Sequence, residues 1–135
     1  MPAEYTYDYA VIRVMPRVDR GEVINVGVIL NCPELNFLDV RVDVDETRLR
    51  ILDRNVDIDL VREQLASFAA VCKGGEGAGE IGELPQRNRY YWLVAVRSTI
   101  VQVSSSHTGR TSDPAHTLDH LFEVLVRSDA ASPRR

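Results

Sequence analysis

Three runs of β-branched and aromatic residues near the start of the chain constrain its fold more than any other feature. In the first run, Tyr7 to Met15, apolar residues alternate so that Ala10, Ile12 and Val14 share one face. A period of two is typical of a β-strand. Pro16 ends the run, and the short polar connection after it predicts a hairpin into the second run.

The second and third runs predict two further strands. Glu22 to Asn31 is apolar on both faces, which predicts a central strand that is covered on both sides. Gly27 inside it predicts a bulge or a close approach of another backbone. Phe37 to Asp45 alternates between apolar and charged residues, which predicts a strand with one face open to water. Short connections make the three strands an antiparallel meander.

The residues that follow the meander include apolar side chains at the spacing of a helix. Asp57 or Asp59 is expected to cap a helix that ends at Gly74 and Gly75. The glycine-rich residues 73–88 then predict a loop.

The second half of the chain predicts further strands and a final helix. Arg89 to Ser104 has strand composition, and its polar break at Arg97–Thr99 fits either a hairpin or a bulge. Asp113 and Pro114 have the cap and first-turn residue types that begin a helix. The order βββ-α-ββ-α predicts an α+β fold, an antiparallel sheet of about five strands with two main helices packed on it.

Length and composition predict one domain over residues 5–127, with disordered tails at 1–4 and 128–135. The net charge of −4 disfavours binding to nucleic acid, which requires excess positive charge. The N-terminus lacks the pattern of a signal peptide, and no apolar run is long enough to span a membrane, so we expect a cytoplasmic protein. A homo-oligomer is left open.

Cysteine and histidine positions predict no metal and no cofactor. Cys32 and Cys72 lie far apart in apolar contexts and are expected to be reduced and buried. His116 and His120 are spaced for a metal on a helix, but they lie on its polar face without further ligands. The glycines of 73–88 follow a helix and neighbour glutamates, which does not suit a phosphate loop.

The polar segment from Arg97 to Asp113 is the densest group of candidate site residues. Hydroxyl and guanidinium groups near a helix N-terminus can bind an anion, and a histidine there can act as a general acid or base. The alternative is a polar connection whose hydroxyls satisfy local backbone groups. The candidates are His107 and Arg97 as catalytic residues, with Ser98, Thr99, Gln102 and Arg110 as ligand-binding residues.

A second polar cluster lies at the first hairpin. Arg20 and Glu22 precede Asn25, whose amide interrupts an apolar strand and needs a structural or functional partner. Arg20 and Asn25 are candidate ligand-binding residues, and Glu22 is a candidate second base. If this cluster met the Arg97–Asp113 segment in space, the two would form one site.

These two regions also carry a family resemblance. The chain resembles the bacterial family known as domain of unknown function three-zero-three-seven over roughly residues 5–127, with Val96 where we expect a proline. The resemblance implies stand-alone cytosolic proteins, often encoded near a kinase-like protein related to the HipA toxin kinases. The segments that carry it are Tyr9–Val14, Arg20–Glu22, Asn25–Leu30, Trp92–Ala95, Arg97–Thr99, Gln102, Ser104, His107–Gly109, Asp113–Pro114, Leu121–Phe122 and Leu125–Val126.

Three functions follow as hypotheses. The first is a non-enzymatic interaction or regulatory module with a protein partner, which the resemblance implies is a HipA-like kinase. The second is a metal-independent phosphate-handling enzyme, such as a nuclease, in which His107 acts with Arg97 and Arg110. The third is single-stranded nucleic-acid binding through stacking on Tyr5, Tyr7 and Tyr9 beside Arg13, and the negative net charge disfavours it.

Overall fold

The computed structural model describes residues 2–95 and 99–127. The predictions for Arg97, Ser98 and the tail 128–135 fall outside these residues. The strands are β1 (Tyr5–Val14), β2 (Ile24–Cys32), β3 (Phe37–Val42), β4 (Val101–Val103) and β5 (His107–Thr111). The helices are α1 (Glu46–Leu52), α2 (Ile58–Lys73), α3 (Gly79–Gly82), α4 (Gln86–Leu93) and α5 (Pro114–Phe122).

The five strands form one antiparallel sheet, which confirms the predicted α+β class. Strands β3, β2, β1 and β4 lie side by side in that order, and β5 also pairs with β1. β4 pairs with the end of β1 at Ile12–Val14, whereas β5 pairs with its beginning at Tyr5–Tyr9. The predicted meander of the first three strands is therefore present, and β1 has neighbours along both edges.

Strand β2 is covered on both faces, as its sequence predicts, and its bulge lies next to Gly27. Ile12 pairs with Gly27 and Arg13 with Asn25, so Val26 is the extra residue. On one face, Ile24 and Val26 join the larger core with α1, α2 and α4. Beyond the bulge the alternation shifts, and Val28 and Leu30 pack against α5 in a second core on the opposite face.

The capping predictions for two helices are confirmed. The side chain of Asp57 accepts a hydrogen bond from the Leu60 amide at the start of α2, which ends at Gly74. The side chain of Asp113 likewise accepts a hydrogen bond from the His116 amide at the start of α5. A π-helical segment, Glu123–Arg127, continues α5. Among the described residues, no helix is long and apolar enough to cross a membrane.

The prediction of strand structure from Arg89 to Ser104 is wrong over its first part, where helix α4 extends from Gln86 to Leu93. The Arg89 guanidinium donates to the carbonyls of Val71 and Cys72 at the end of α2, at 2.9 and 2.8 Å. Tyr90 and Leu93, one helical turn apart, are buried in the larger core. These contacts with α2 override the β propensity of the aromatic residues.

Two other local predictions need correction. The predicted loop 73–88 contains a 3₁₀ turn, Glu76–Ala78, and the single helical turn of α3. The charged face of β3 is not simply open to water, because α5 packs beside it. The Arg41 guanidinium lies 4.3 Å from the ring centre of Phe122 and donates to Asp119 at 2.9 Å.

Strand β5 lies where the sequence predicted only a polar connection. It forms because β1 offers a second edge, against which the polar residues of His107–Thr111 make backbone hydrogen bonds. Gly109 lies directly against the ring of Tyr7, where an added Cβ would come within 2.6 Å of the tyrosine hydroxyl. Between β4 and β5, buried Ser104 accepts from the Val11 amide and donates its own amide to the Val11 carbonyl, each at 2.9 Å.

We predict that Gly27→Ala destabilises the protein by about 1–3 kcal/mol, the usual cost of overpacking a filled site. An alanine Cβ would lie 2.8 Å from the Arg41 carbonyl oxygen and 2.9 Å from Val42 Cγ1. Urea unfolding measures the change. Gly77→Ala is the control, because no atom lies within 4 Å of its added Cβ. Equal stability of the two variants would contradict the close approach at Gly27.

Candidate functional site

The structure places His107 and Arg110 on opposite faces of β5. They are three residues apart, and side chains alternate along a strand. His107 lies beside Tyr9 on the sheet face that packs against α5, and the centres of their rings are 5.2 Å apart. Arg110 donates to the Glu4 carbonyl at 3.1 Å on the other side. The two side chains therefore do not face a common ligand, and Arg97 lies outside the described residues.

The hairpin residues have local structural partners. The exposed Arg20 and Glu22 form an ion pair at 2.7 Å. The Asn25 side-chain amide donates to the Leu125 carbonyl at 3.0 Å and so ties β2 to the segment that follows α5. Asn25 thus has a structural partner for its amide nitrogen.

Thr99, Gln102 and Asn25 lie near the C-terminal end of β1, away from the part of β1 that pairs with His107. The Thr99 hydroxyl donates to the Val101 carbonyl, and Gln102 donates to the Thr99 carbonyl. Arg13 pairs with Asn25 on one side and with Gln102 on the other. One ligand-binding candidate from each cluster therefore lies in a single row across the sheet.

The rest of the predicted two-part site does not come together. His107 pairs with Tyr9 on β1, whereas Asn25 pairs with Arg13. Four residues of strand separate these positions by roughly 13 Å, and the partner strands lie on opposite sides of β1. Glu22 lies still further along the same direction. Within the described residues, no group of three potential metal ligands is present.

The tyrosines that could stack on bases are partly buried. Tyr5, Tyr7 and Tyr9 pack against the smaller core between β2 and α5. Their faces are therefore only partly accessible from solvent.

A pocket that the sequence did not reveal lies between α4 and the end of the sheet where β2 leads into β3. It has a volume of ≈ 390 Å³, within the roughly 300–1,000 Å³ of small-molecule sites. We call it the Asp8–Asn31 pocket, after two lining residues that pair directly across β1 and β2. It is lined by Asp8, Asn31, Pro33, Arg87, Tyr90 and Tyr91.

The polar groups of this pocket are held by hydrogen bonds from its surroundings. Thr108 on β5 donates to Asp8 Oδ1 at 2.7 Å. Gln86 on α4 donates through Nε2 to Asn31 Oδ1 at 2.7 Å and to the Phe37 carbonyl at 3.1 Å. Asn31 is only 5% exposed. The side chains at the base of the pocket are therefore fixed before any ligand arrives.

Tyr90 forms the buried wall of the pocket. Its hydroxyl lies 2.6 Å from the Ser106 hydroxyl. The pKa of Tyr90 is raised to about 12, mainly by burial and to a smaller extent by the negative charge of Asp8, while the hydrogen bond with Ser106 lowers it. Arg87 lies over the ring of the exposed Tyr91 at the pocket mouth, 5.7 Å from its centre. The wall is thus neutral at ordinary pH, and the mouth is positively charged.

A second candidate surface is the groove between strand β3 and helix α2, which we call the β3 edge groove. It has a volume of ≈ 250 Å³, and its lining is apolar except for one arginine. That arginine, Arg62, pairs with Glu46 at 2.7 Å. The lining residues are Val42, Val44, Arg62, Leu65, Ala66 and Ala69.

The backbone of β3 borders this groove with groups that point away from the sheet. The Asp43 amide donates to the Val26 carbonyl at 2.8 Å. Hydrogen-bonding direction alternates along an antiparallel strand, so Leu38, Val40 and Val42 direct their backbone groups outward. The Val40 amide donates to the carboxylate of its own neighbour, Asp39, at 2.8 Å. Within the part of the chain that the structure describes, this edge is therefore open, with one donor covered by a side chain.

The Asp8–Asn31 pocket had only weak signals in the sequence. Asp8 lies on the same strand face as Ala10, Ile12 and Val14, so a charged residue begins an otherwise inward-facing row. Asn31 is a buried amide at the end of an apolar strand. Their neighbours Gln86 and Tyr90 could not be assigned, because the segment that carries them was predicted as loop and strand.

These features define a small α+β protein with one antiparallel sheet, a polar pocket beside α4 and an open β3 edge. Residues 9–126 match the pattern of a known family, described as Protein of unknown function (DUF3037). The chain belongs to this family, which confirms the resemblance seen in its motifs. No curated protein and no solved structure matches the chain.

We predict that the free energy of unfolding falls as the pH rises from about 10 to about 12. In that window the unfolded chain ionises Tyr90 while the fold keeps its phenol protonated, so unfolding releases a proton. Urea unfolding at pH 9 and pH 11 measures the slope, which should be shallower in Tyr90→Phe. Tyr91→Phe removes a phenol that is 57% exposed and should keep the slope of the unmodified protein. An unchanged slope in Tyr90→Phe would contradict the assignment.

Proposed function

We propose that this protein is a non-enzymatic interaction module that binds an extended segment of a protein partner along β3. The observation that carries the proposal is an open strand edge beside an apolar groove. An added strand would pair with the outward backbone groups of Leu38 and Val42. It would also displace the carboxylate of Asp39 from the Val40 amide.

The two sides of the β3 edge favour a particular peptide. Alternate side chains of an added strand point to opposite sheet faces. One set would enter the β3 edge groove, where Val42 is 41% exposed and the small side chains of Ala66 and Ala69 leave room. The other set would face Asp39, which has no ion-pair partner among the described residues. The partner segment should therefore alternate apolar and basic residues.

The partner that the family resemblance suggests is a HipA-like kinase encoded nearby. A protein with net charge −4 and an unpaired carboxylate at its open edge suits a basic partner segment. Strand addition also needs no catalytic group. The proposal is thus consistent with the separation of His107, Arg110 and Glu22.

The nuclease hypothesis lacks a supporting observation of this kind. His107 and Arg110 face opposite sides of β5, and Asn25 donates its amide to the Leu125 carbonyl. The nuclease hypothesis therefore stays a prediction from the sequence. Loss of nucleotide or RNA hydrolysis in His107→Ala would support it.

We predict that Ala66→Arg weakens binding to the partner segment by about 10-fold or more, because it fills the groove and repels the basic residues. The probe is an acetylated peptide of alternating valine and arginine, titrated into labelled protein while backbone amide shifts are measured by NMR. The shifts should concentrate on β3. Co-purification with the kinase-like neighbour tests the natural partner in the same variants.

Ser67→Arg is the matched control. It adds the same charge at the neighbouring exposed position of α2, but this position lines a different cavity, beside Trp92. The affinity of Ser67→Arg for the valine–arginine peptide should equal that of the unmodified protein. Equal weakening by both variants, or shifts that avoid β3, would count against strand addition.

A further inference from the structure

Asn31 is only 5% exposed, yet its side-chain amide carries a donor that stays open to the Asp8–Asn31 pocket, which Asn31 lines. Gln86 must present its NH₂ group to the Phe37 carbonyl, which can only accept. The Asn31 atom that meets this NH₂ group is therefore its oxygen, Oδ1. The Asn31 Nδ2 group is then left facing the pocket, and no described residue accepts from it.

Asp8 supplies acceptors next to this donor. Its Oδ1 accepts from Thr108, and no described residue donates to Oδ2. Asp8 and Asn31 are directly opposite each other on neighbouring strands, where Cβ atoms lie about 4.5–5.5 Å apart. The two side chains therefore present two acceptor oxygens and then one donor nitrogen, side by side.

We propose that the Asp8–Asn31 pocket binds a ligand with a 2-amino-4-oxopyrimidine edge, the edge shared by guanine and pterin. This edge offers an exocyclic NH₂, a ring N–H and a carbonyl oxygen in sequence. The first two groups match the carboxylate of Asp8, and the carbonyl matches Nδ2 of Asn31. A bidentate contact to a carboxylate combines strength with selectivity.

The mouth of the pocket suits the rest of such a ligand. Tyr91 can stack a flat heterocycle on the ring face that Arg87 leaves uncovered, and the charge of Arg87 suits a phosphate or carboxylate. Adenine is rejected, because it places a ring acceptor where Asp8 requires a donor. The pocket lies beside α4 and shares no lining residue with the β3 edge groove, so this inference is independent of the proposed function.

Titration calorimetry with guanosine monophosphate, pterin, inosine monophosphate and adenosine monophosphate tests the inference. We expect binding of guanosine monophosphate, of pterin or of both, and the preferred one identifies the source of the edge. Inosine monophosphate lacks the 2-amino group and should bind about 10-fold more weakly or worse than guanosine monophosphate, since it loses a hydrogen bond to a charged group. Adenosine monophosphate should not bind. Absence of binding by both guanosine monophosphate and pterin at 1 mM, a concentration chosen on the order of a weak site's Kd, would overturn the inference.

The substitution Asp8→Asn separates recognition from folding. It keeps the acceptor for Thr108 but replaces the second oxygen with a donor. The variant should lose guanosine monophosphate and gain xanthosine monophosphate, whose 2-oxo group accepts where guanine donates. Asp59→Asn, an exposed change on α2, should bind as the unmodified protein does. Retained guanosine monophosphate binding in Asp8→Asn, or equal binding of the adenine and guanine nucleotides, would overturn the inference.

Discussion

The pairing of β1 along both of its edges is the interaction on which the rest of the structure depends. One edge pairs with β2, and the other pairs with β5 near its beginning and with β4 near its end. Ser104 bridges the junction by bonding both backbone groups of Val11. A strand with both edges paired cannot slip by one residue, because a slip would exchange its two faces and bury Asp8 in the wrong core. This register of β1 determines the positions of both cores and of the polar pocket.

The elements that the sequence predicts well are those whose signal is local. The inward face of β1, at Ala10, Ile12 and Val14, follows from alternation alone, and all three residues are fully buried. Asp113 and Pro114 begin a helix wherever the chain places them, because a cap and a fixed φ act within one turn. Gly27 also marks its position locally, because a glycine inside an apolar strand is typical of a bulge or a close backbone approach.

The elements that the sequence misses depend on distant residues. Helix α4 is stabilised by Arg89 against the end of α2 and by Tyr90 in the core, and neither contact is visible in the local sequence. Strand β5 has almost no apolar residues and exists because β1 has a free edge beside it. The arrangement of the candidate site residues also depends on distant residues and could not be predicted from the local sequence. Alternation places His107 and Arg110 on opposite faces only once their segment is known to be a strand.

The two asparagines of β2 separate structural polar residues from those that suit a ligand. Asn25 and Asn31 interrupt the same apolar strand, and the sequence gives no reason to treat them differently. The amide nitrogen of Asn25 donates to the Leu125 carbonyl, so its donor is satisfied within the fold. The Asn31 oxygen accepts from Gln86, and no described residue accepts from the Asn31 amide nitrogen at the pocket that this residue lines. Among the described residues no buried polar side-chain atom lacks a partner, so this nitrogen stays open to the pocket, where water or a ligand can accept from it. Because Gln86 holds the Asn31 oxygen, the orientation of this donor is fixed, and the pocket therefore holds better evidence for a bound molecule than the polar His107 segment does.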